Sequence, residues 1–298
     1  MDEIEHRFME VNGVKLHVAK AGPKNGELVI LLHGFPEYWK GWQKQIAGLA
    51  NKGYRVWAPD QRGYNISDKP KNKSEYRIDQ LAEDIKELIL VSGREKVILV
   101  GHDWGGLVSW YVGRKFPSLI KRLIILNAPH EAAMKKEIQQ HLSQVLKSSY
   151  IGFFQFPWLP ERTAGLFNWR VLSSLLTSSS REGTFSKEDL IEYRNAWSHP
   201  QAIRSMINWY RANLFHMELA SLSNMVSVST LLIWGARDRF LNRELALKSL
   251  DFCEEGCVVF FENSTHWVHL EESGRINQLI TKFATDPFYL KNKLVSLS

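Results

Sequence analysis

The feature that most constrains the fold of this chain is a short stretch in its first half, residues 97–106. An apolar and mostly β-branched run stops at Gly101, Gly105 follows four positions later, and a segment of helical composition, 107–116, begins at once. The two glycines suit a sharp turn from strand to helix, because such a turn leaves little room for side chains. The stretch therefore predicts a strand, a tight turn and a helix, with Asp103 held in the open where the strand ends.

Short apolar runs alternate with amphipathic segments on both sides of this stretch. Strands are predicted at 6–10, 14–19, 28–32, 54–58, 96–100, 121–126, 230–234 and 257–262. Helices are predicted at 38–50, 78–91, 107–116, 241–250 and 273–284. The alternation predicts an α/β fold with a mostly parallel sheet and helices on both faces, preceded by a hairpin at Asn12-Gly13. Residues 285–298 form a tail with no clear partner.

The alternation stops between residues 130 and 224. Helical patterns in this part of the chain lie at 132–146, 187–197 and 202–214. Its serine-rich stretch, 173–180, predicts a surface loop. An insertion between two strands of such a sheet lies over the carboxyl ends of the strands, where ligands bind. We therefore predict a core domain of residues 1–129 and 225–298 with an inserted helical cap domain, or lid, of residues 130–224.

Composition excludes several classes of function. Of the 298 residues, 44% are hydrophobic and 23% charged, and the net charge of +6 comes from dispersed basic residues, so no nucleic-acid partner is expected. The spacing of the two cysteines, Cys253 and Cys257, matches neither a disulfide framework nor a metal site. The acidic, polar start and the lack of long apolar runs predict a cytoplasmic protein with no membrane partner. Eleven tryptophans and fifteen phenylalanines suggest an apolar pocket, although an aromatic-rich core explains the same count.

A nucleophile presented on such a turn, a nucleophile elbow, needs a base and an acid that orients the base. In the fold that uses this elbow, the acid and then a histidine come later in the chain. Asp238 and His266 meet that order, and each directly follows a predicted strand. Asp103, Asp238 and His266 are therefore the predicted catalytic triad, with His269 as the rival histidine. Asn127 ends the preceding strand but cannot carry the charge of the acid.

Backbone amides that could stabilise an oxyanion are predicted at two places. The sequence His-Gly-Phe-Pro begins at His33, directly after the predicted strand 28–32. In this fold the amide of the residue after His-Gly acts together with the amide of the residue after the nucleophile. The oxyanion hole is therefore predicted at the amides of Phe35 and Trp104. His33 and His102 are expected to be structural hydrogen-bond partners.

Aspartate in place of the usual serine changes the predicted chemistry. A carboxylate is already ionised at neutral pH and needs no base to become a nucleophile. Its attack on an ester would give an anhydride, a poor intermediate, whereas its attack on a saturated carbon gives an alkyl ester that water can hydrolyse. Asp103 therefore predicts cleavage of an epoxide or of a carbon–halogen bond, with His266 activating the water.

The leaving group distinguishes these two reactions. The alkoxide formed from an epoxide needs a proton donor, for which tyrosine, with an ordinary pKa of about 10, is suitable, whereas a halide needs only N–H donors. The predicted cap contains Tyr150, Tyr193 and Tyr210. Any one of them alone is explained equally well as a packing residue.

Several stretches of the chain resemble the α/β-hydrolase-fold epoxide hydrolases of the soluble type. They span nearly the whole chain and are His33-Gly34-Phe35-Pro36-Glu37, Asp60-Gln61-Arg62-Gly63-Tyr64, Gly101-His102-Asp103-Trp104-Gly105-Gly106, Asn208-Trp209-Tyr210-Arg211 and Ser264-Thr265-His266-Trp267. The resemblance implies the α/β-hydrolase fold with its inserted cap, no metal or organic cofactor, and a small apolar epoxide as substrate. It also implies that two cap tyrosines, matched by Tyr150 and Tyr210, hold and protonate the epoxide oxygen. Tyr193 lies outside the matching motifs.

Aromatic residues near the motifs are candidates for the apolar wall of the substrate pocket. They are Phe35, Trp39, Trp104, Phe153, Phe154 and Trp267. Any of them could instead belong to the core. For Trp39 the sequence supports a pocket residue and a core residue about equally.

Other interpretations of the same residues remain open. A haloalkane dehalogenase also resembles this chain, and Trp104 stands where that family places a halide-binding tryptophan. Phe35, however, replaces an asparagine of many such dehalogenases, and the tyrosine pair has no role in them. A fluoroacetate dehalogenase would carry arginine in place of Trp104. A non-catalytic binding protein on the same fold would not need the intact triad. The natural substrate and the oligomeric state are left open.

Overall fold

The computed structural model of the protein describes residues 4–214, 224–286 and 294–297. Within these residues one sheet of nine strands has helices against both faces. The strands are β1 (Glu5–Val11), β2 (Val14–Ala21), β3 (Leu28–Leu32), β4 (Arg55–Pro59), β5 (Val97–His102), β6 (Ile120–Leu126), β7 (Thr230–Gly235), β8 (Gly256–Phe261) and β9 (Leu294–Leu297). Their order across the sheet is β1-β2-β4-β3-β5-β6-β7-β8-β9.

The predicted mostly parallel sheet is confirmed. Strand β2 is antiparallel to β1 and β4, and every pair from β4–β3 to β8–β9 is parallel. The predicted hairpin turn has φ values of 46° at Asn12 and 73° at Gly13, a left-handed conformation that these residue types tolerate. The prediction of a tail without a partner is wrong at β9, where Val295 pairs with Val259 of β8. Residues 287–293 and 298 of that tail lie outside the described residues.

Helices fill the connections between the strands. They are α1 (Gln43–Ala50), α2 (Ile78–Val91), α3 (Trp104–Lys115), α4 (Glu131–Gln140), α5 (Leu142–Lys147), α6 (Ser149–Phe154), α7 (Leu159–Ser179), α8 (Lys187–Ser198), α9 (Ala202–Asn213), α10 (Glu244–Leu250), α11 (Val268–Glu271) and α12 (Ser273–Thr285). Helix α7 is interrupted at residues 166–169, where the backbone leaves the helical conformation.

Each face of the sheet has its own apolar core. On β5, Val97 and Leu99 belong to the core that α2 and α3 cover, whereas Ile98 and Val100 belong to the core that α1 and α12 cover. Successive side chains of a strand point to opposite faces, so a strand buried on both sides reads as a continuous apolar run. This explains why β3 and β5 could be predicted from continuous apolar runs, although neither shows an alternation of polar and apolar residues.

The helices between β6 and β7 lie over the carboxyl ends of the strands. The indole N–H of Trp197 donates to the carbonyl of Pro36 at 2.6 Å, in the loop after β3. The indole N–H of Trp209 donates to the carbonyl of Arg62 at 2.9 Å, in the loop after β4. These buried contacts fasten α8 and α9 to the core. The predicted cap continues through residues 215–223, which lie outside the described residues.

Two predictions for this helical segment are wrong in detail. The helix predicted at 132–146 breaks at His141, where φ is −132° and ψ is 109°. The serine-rich stretch is the second half of α7, not a loop, and Ser173 and Ser179 are buried. The hydroxyl of Ser179 donates to the carbonyl of Leu175 at 2.6 Å, one turn earlier. Serine hydroxyls that bond back to their own helix in this way conceal a helix from composition-based reasoning.

The turn after β5 is as tight as the sequence predicts. Asp103 has φ 51° and ψ −120°, a conformation that is strained for any residue other than glycine. A Cβ on Gly101 would lie 2.2 Å from the carbonyl oxygen of Gly105, and a Cβ on Gly105 would lie 2.2 Å from that of Leu32. Both positions therefore require glycine because the backbones of β3, β5 and α3 approach each other closely.

This close approach predicts opposite effects for the same substitution at two helical glycines. Gly105→Ala should lower the free energy of unfolding by roughly 2–3 kcal/mol, because the new methyl group collides with backbone that cannot move independently. Gly274→Ala is the control, since nothing lies within 4 Å of its Cβ position in α12. It should stabilise the protein by up to about 1 kcal/mol through helix propensity. Denaturant unfolding measures both, and a Gly105→Ala variant as stable as the parent would contradict the packing described.

Candidate active site

The structure brings the three predicted triad residues together at the carboxyl edge of the sheet. Asp103 follows β5, Asp238 follows β7, and His266 follows β8. His266 Nδ1 lies 2.7 Å from Asp238 Oδ2, and His266 Nε2 lies 3.6 Å from Asp103 Oδ2. The imidazole thus stands between the two carboxylates, with one ring nitrogen directed at each.

Asp238 is held as a charged hydrogen-bond acceptor. Its Oδ2 accepts from the amide of Asn127 at 2.7 Å, and its Oδ1 accepts from the backbone N–H groups of Phe240 at 2.7 Å and Leu241 at 3.1 Å. Burial alone would raise the pKa of Asp238, but the interaction with His266 and these donors hold it below its usual range. Asn127, which the sequence excluded as the acid, is therefore one of the groups that orient the acid.

The two carboxylates determine the protonation of His266. Burial of the ring opposes a positive charge, but Asp238 and, after it, Asp103 outweigh burial and raise the pKa of His266 to about 10. The histidine is therefore a cation at neutral pH while both carboxylates are ionised. Removal of either negative charge would lower this pKa and favour the neutral imidazole.

Of the two backbone amides predicted for the oxyanion hole, that of Phe35 contacts Asp103. The backbone N–H of Phe35 donates to Asp103 Oδ1 at 2.8 Å. Trp104 is the first residue of α3, where backbone N–H groups have no partner within the helix. A Cβ on Gly34 would lie 2.4 Å from the Cβ of Asp103, so only glycine lets the loop after β3 approach the carboxylate this closely. Oδ1 is thereby fixed, and Oδ2 is left to face His266.

Two predicted tyrosines face the carboxylate from the inserted helices. Tyr150 lies on α6 and Tyr210 on α9, and their ring centroids are 5.9 Å apart. Burial, and then neighbouring groups that include Asp103, raise the pKa of both phenols above the ordinary range. Both hydroxyls are therefore protonated and able to donate. The indole of Trp104 packs edge-on against Tyr210, with the two ring centroids 5.0 Å apart.

An apolar cavity of about 350 Å³ connects these groups. Asp103, His266, Tyr150 and Tyr210 all reach its wall. The predicted wall residues on the cavity are Phe35, Phe153, Phe154 and Trp267. Sequence reasoning missed the wall residues Phe240, Leu172 and Leu175, because nothing in their local pattern distinguishes a pocket from a core.

Trp39 was predicted for this wall, but the structure places it elsewhere. Its ring packs against His6 and His17, with centroids 5.0 and 6.5 Å away, beside the β1–β2 hairpin. Its backbone N–H donates to Asp60 Oδ1 at 2.9 Å. The carboxylate of Asp60 thus holds the short helix Trp39–Trp42 beside this hairpin, and Trp39 does not line the cavity.

A second buried cluster, centred on Glu37, supports the triad from outside the cavity. Glu37 Oε1 accepts from the Tyr193 hydroxyl at 3.2 Å and lies 3.1 Å from His269 Nε2, while its Oε2 lies 3.0 Å from His102 Nδ1. His102 Nε2 is 2.9 Å from the carbonyl oxygen of His266, to which it donates. The cluster therefore fixes the backbone of His266. It also accounts for His269, the rival histidine, which faces Glu37, and whose pKa burial lowers to about 4.

This cluster is also the candidate that the described part of the chain offers for a metal. The ligand atoms of Glu37, His102 and His269 all lie within 4.8 Å of one another. Hydrogen bonds between Glu37 and both histidines already use the facing atoms. The cysteines, by contrast, are two free thiols, and burial raises the pKa of each to about 12.

Comparisons with known proteins agree with this architecture. The sequence matches the alpha/beta hydrolase fold family over residues 27–273. It is 43% identical to the AB hydrolase superfamily protein YfhM of Bacillus subtilis (strain 168), over 98% of this chain and 100% of that protein. Epoxide hydrolase 4 of Homo sapiens is 36% identical over 91% of this chain and 76% of its own length. A crystal structure of a Bacillus megaterium epoxide hydrolase in complex with an inhibitor matches with a TM-score of 0.87 and 27% identity, over 94% of this chain and 100% of that one.

The sheet order, the elbow after β5 and these similarities lead to one conclusion. Both the family match and the relatives extend across the core and the inserted helices, so the likeness is not confined to a motif. The chain belongs to the α/β-hydrolase fold family, in the group that contains the epoxide hydrolases.

Proposed function

We propose that this protein hydrolyses epoxides to vicinal diols through a covalent alkyl ester on Asp103. The observation that carries the proposal is the placement of the Asp103 carboxylate. One oxygen accepts the Phe35 amide, and the side chain opens onto an apolar cavity that it shares with two protonated tyrosines and a histidine. Relatives named epoxide hydrolases, at 30–36% identity, support the same reaction class.

In the first step Asp103 Oδ2 attacks the less hindered carbon of the epoxide. The carbon–oxygen bond of the ring breaks, and its electron pair stays on the epoxide oxygen, which takes a proton from Tyr150 or Tyr210. The raised pKa values of these phenols keep the proton available in the free enzyme. Hydrogen bonds from both hydroxyls hold the oxygen where negative charge develops.

In the second step water hydrolyses the ester at the carbonyl carbon of Asp103. Esterification removes the negative charge of Asp103, one of the two charges that raise the pKa of His266 to about 10. The pKa of His266 therefore falls when the ester forms, and its proton passes to the tyrosinate that the first step left behind. The neutral imidazole can then take the proton of the attacking water. The Asp103 carbonyl oxygen already lies at the Phe35 amide, so the oxyanion forms where a donor is in place. When the tetrahedral intermediate collapses, the departing alkoxide takes the proton held by His266 and leaves as the diol. The Asp103 carboxyl group then gives its own proton to the imidazole, which restores the starting charges.

In the proposed mechanism, the core domain and the cap domain each supply different catalytic groups. The core, residues 1–129 and 225–298, supplies the nucleophile, the water-activating pair and the oxyanion hole. The cap, residues 130–224, supplies both tyrosines and much of the apolar wall. A small apolar epoxide is the expected partner, and its size is limited by a cavity of about 350 Å³.

The geometry of Trp104 bears on the second candidate, a haloalkane dehalogenase. Its indole stands next to the nucleophile, as a halide site would require. However, the indole packs edge-on against the ring of Tyr210, with the centroids 5.0 Å apart, so it helps to position a proton donor. A halide leaves without a proton, so it would gain nothing from the two buried tyrosines.

Replacement of His266 should trap the intermediate. His266→Gln leaves the nucleophile intact but removes the base, so the Asp103 ester should accumulate during reaction with an aliphatic or styrene-type epoxide. Intact-mass spectrometry should show an adduct equal to the mass of the whole epoxide, located by digestion on the peptide that contains Asp103. Asp103→Asn combined with His266→Gln is the control and should carry no adduct. An adduct formed only from a haloalkane, with halide release, would favour the dehalogenase.

Removal of both phenolic hydroxyls should block ring opening. Tyr150→Phe combined with Tyr210→Phe should lower kcat/KM for an epoxide by roughly 100- to 10,000-fold, the range for loss of a general acid. Tyr111→Phe is a matched control, because the Tyr111 hydroxyl is buried on α3 without a hydrogen-bond partner and does not reach the cavity. Full activity of the double variant would exclude the role assigned to the pair.

A further inference from the structure

Exposed apolar side chains are concentrated on one part of the inserted helices. Six large apolar residues between positions 142 and 167 are half or more exposed, and we call them the apolar cap surface: Leu142, Leu146, Phe156, Trp158, Leu159 and Phe167. The most exposed are Trp158 at 74%, Phe167 at 72% and Leu142 at 71%, beyond any other large apolar residue that the structure describes. Surfaces of this kind mark interaction sites, because single exposed apolar residues are normally scattered.

Two of these aromatic rings lie at the two ends of the first half of α7, residues 159–165, which we call the helical arm. Trp158 precedes the first half of α7, and Phe167 lies in the interruption that ends it. Both have left-handed backbone conformations, with φ of 59° and 52°. Such conformations are disfavoured for bulky residues, so aromatic side chains held in them at the surface are unusual.

The exposed charges within this surface are positive. Arg162 lies between the two rings in sequence, and Arg170 follows the interruption; both are exposed, and neither has an ion-pair partner among the described residues. The acidic residue of the same arm, Glu161, is neutralised by Arg211, whose Nη1 lies 2.6 Å from Oε1. The surface therefore combines exposed aromatic rings with unpaired arginines.

The cavity reaches the surface between the two halves of α7. Thr163 and Ala164 line it from the first half, and Val171 and Ser174 line it from the second. Val171 and Ser174 are themselves exposed, so the cavity opens there, four residues from Phe167. Helix α7, which follows Trp158 and contains Phe167, therefore also lines the candidate active site.

We propose that the apolar cap surface docks on a phospholipid bilayer with anionic headgroups. Trp158 and Phe167 enter the boundary between headgroups and acyl chains, and Arg162 and Arg170 contact lipid phosphates. An apolar substrate dissolved in the bilayer would then reach the cavity without crossing water. No helix among the described residues is both long and apolar enough to span a membrane, so the attachment is to the surface.

Charge favours lipid over a second copy of the chain as the occupant of this face. In a two-fold dimer the same patch meets itself, so the arginines of both copies would be buried in a contact whose exposed charged residues are all positive. A layer of anionic headgroups supplies the opposite charge. This proposal departs from the expectation, drawn from sequence alone, that the protein has no membrane partner; that expectation considered only spanning segments.

Binding of the full chain to vesicles tests the proposal without any epoxide, so its outcome is separate from that of the proposed reaction. In co-sedimentation, the parent should bind vesicles of phosphatidylcholine mixed with phosphatidylglycerol, and bind vesicles of phosphatidylcholine alone much more weakly. Trp158→Ser combined with Phe167→Ser should abolish binding. Arg162→Gln combined with Arg170→Gln should weaken it on the order of 10- to 30-fold.

A matched control replaces exposed apolar residues on another face. Leu90→Ser combined with Val91→Ser, at the end of α2, removes side chains that are each about half exposed and should bind vesicles as the parent does. Thermal unfolding checks that every variant is folded. The proposal is overturned if the parent does not bind the anionic vesicles, if the control loses binding equally, or if light scattering shows a dimer that the Trp158 and Phe167 variant abolishes.

Discussion

The arrangement of the candidate active site depends on the backbone at one residue, Asp103. Its φ of 51° and ψ of −120° turn the chain from β5 into α3 within a single residue, so that the carboxylate stands beyond the end of the sheet. The turn is possible because Gly101 and Gly105 leave no Cβ between the backbones of β3, β5 and α3. Gly34 allows the loop after β3 to approach the carboxylate. The close packing of β3, β5 and α3 therefore maintains the strained backbone conformation of Asp103.

Buried charges around that turn are balanced in two linked groups. The first is the pair of carboxylates on either side of His266, which together raise the pKa of the imidazole to about 10. The second is Glu37 between His102 and His269, where burial would raise the pKa of Glu37 but the two histidines keep it below its usual range. His102 connects them by donating to the carbonyl of His266. In the proposed mechanism, an ester on Asp103 would therefore change the charge of His266 while the backbone of His266 stays in place.

The sequence could predict those parts of the site that follow from strand order. Asp103, Asp238 and His266 each come directly after a buried strand, and parallel strands place their carboxyl ends at one edge of the sheet. It could not place Trp39 or Phe240, because which side of a loop faces a cavity depends on packing between helices distant in sequence. It also missed the second half of α7, since serine composition indicates a loop unless the hydroxyls bond back to the helix. The apolar cap surface could not be predicted from the sequence either. The exposure of its side chains depends on which faces of the inserted helices pack against the core.

The source of the oxygen in the product tests the covalent mechanism most directly. With enzyme in excess over a simple epoxide, a single turnover is run in water labelled with heavy oxygen. The covalent mechanism predicts an unlabelled diol, because the oxygen added to the substrate in the first turnover comes from Asp103, and it predicts the label in the peptide that contains Asp103. A diol that carries the heavy oxygen, with no label in that peptide, would show that water attacks the epoxide directly and would contradict the role of Asp103 as the nucleophile.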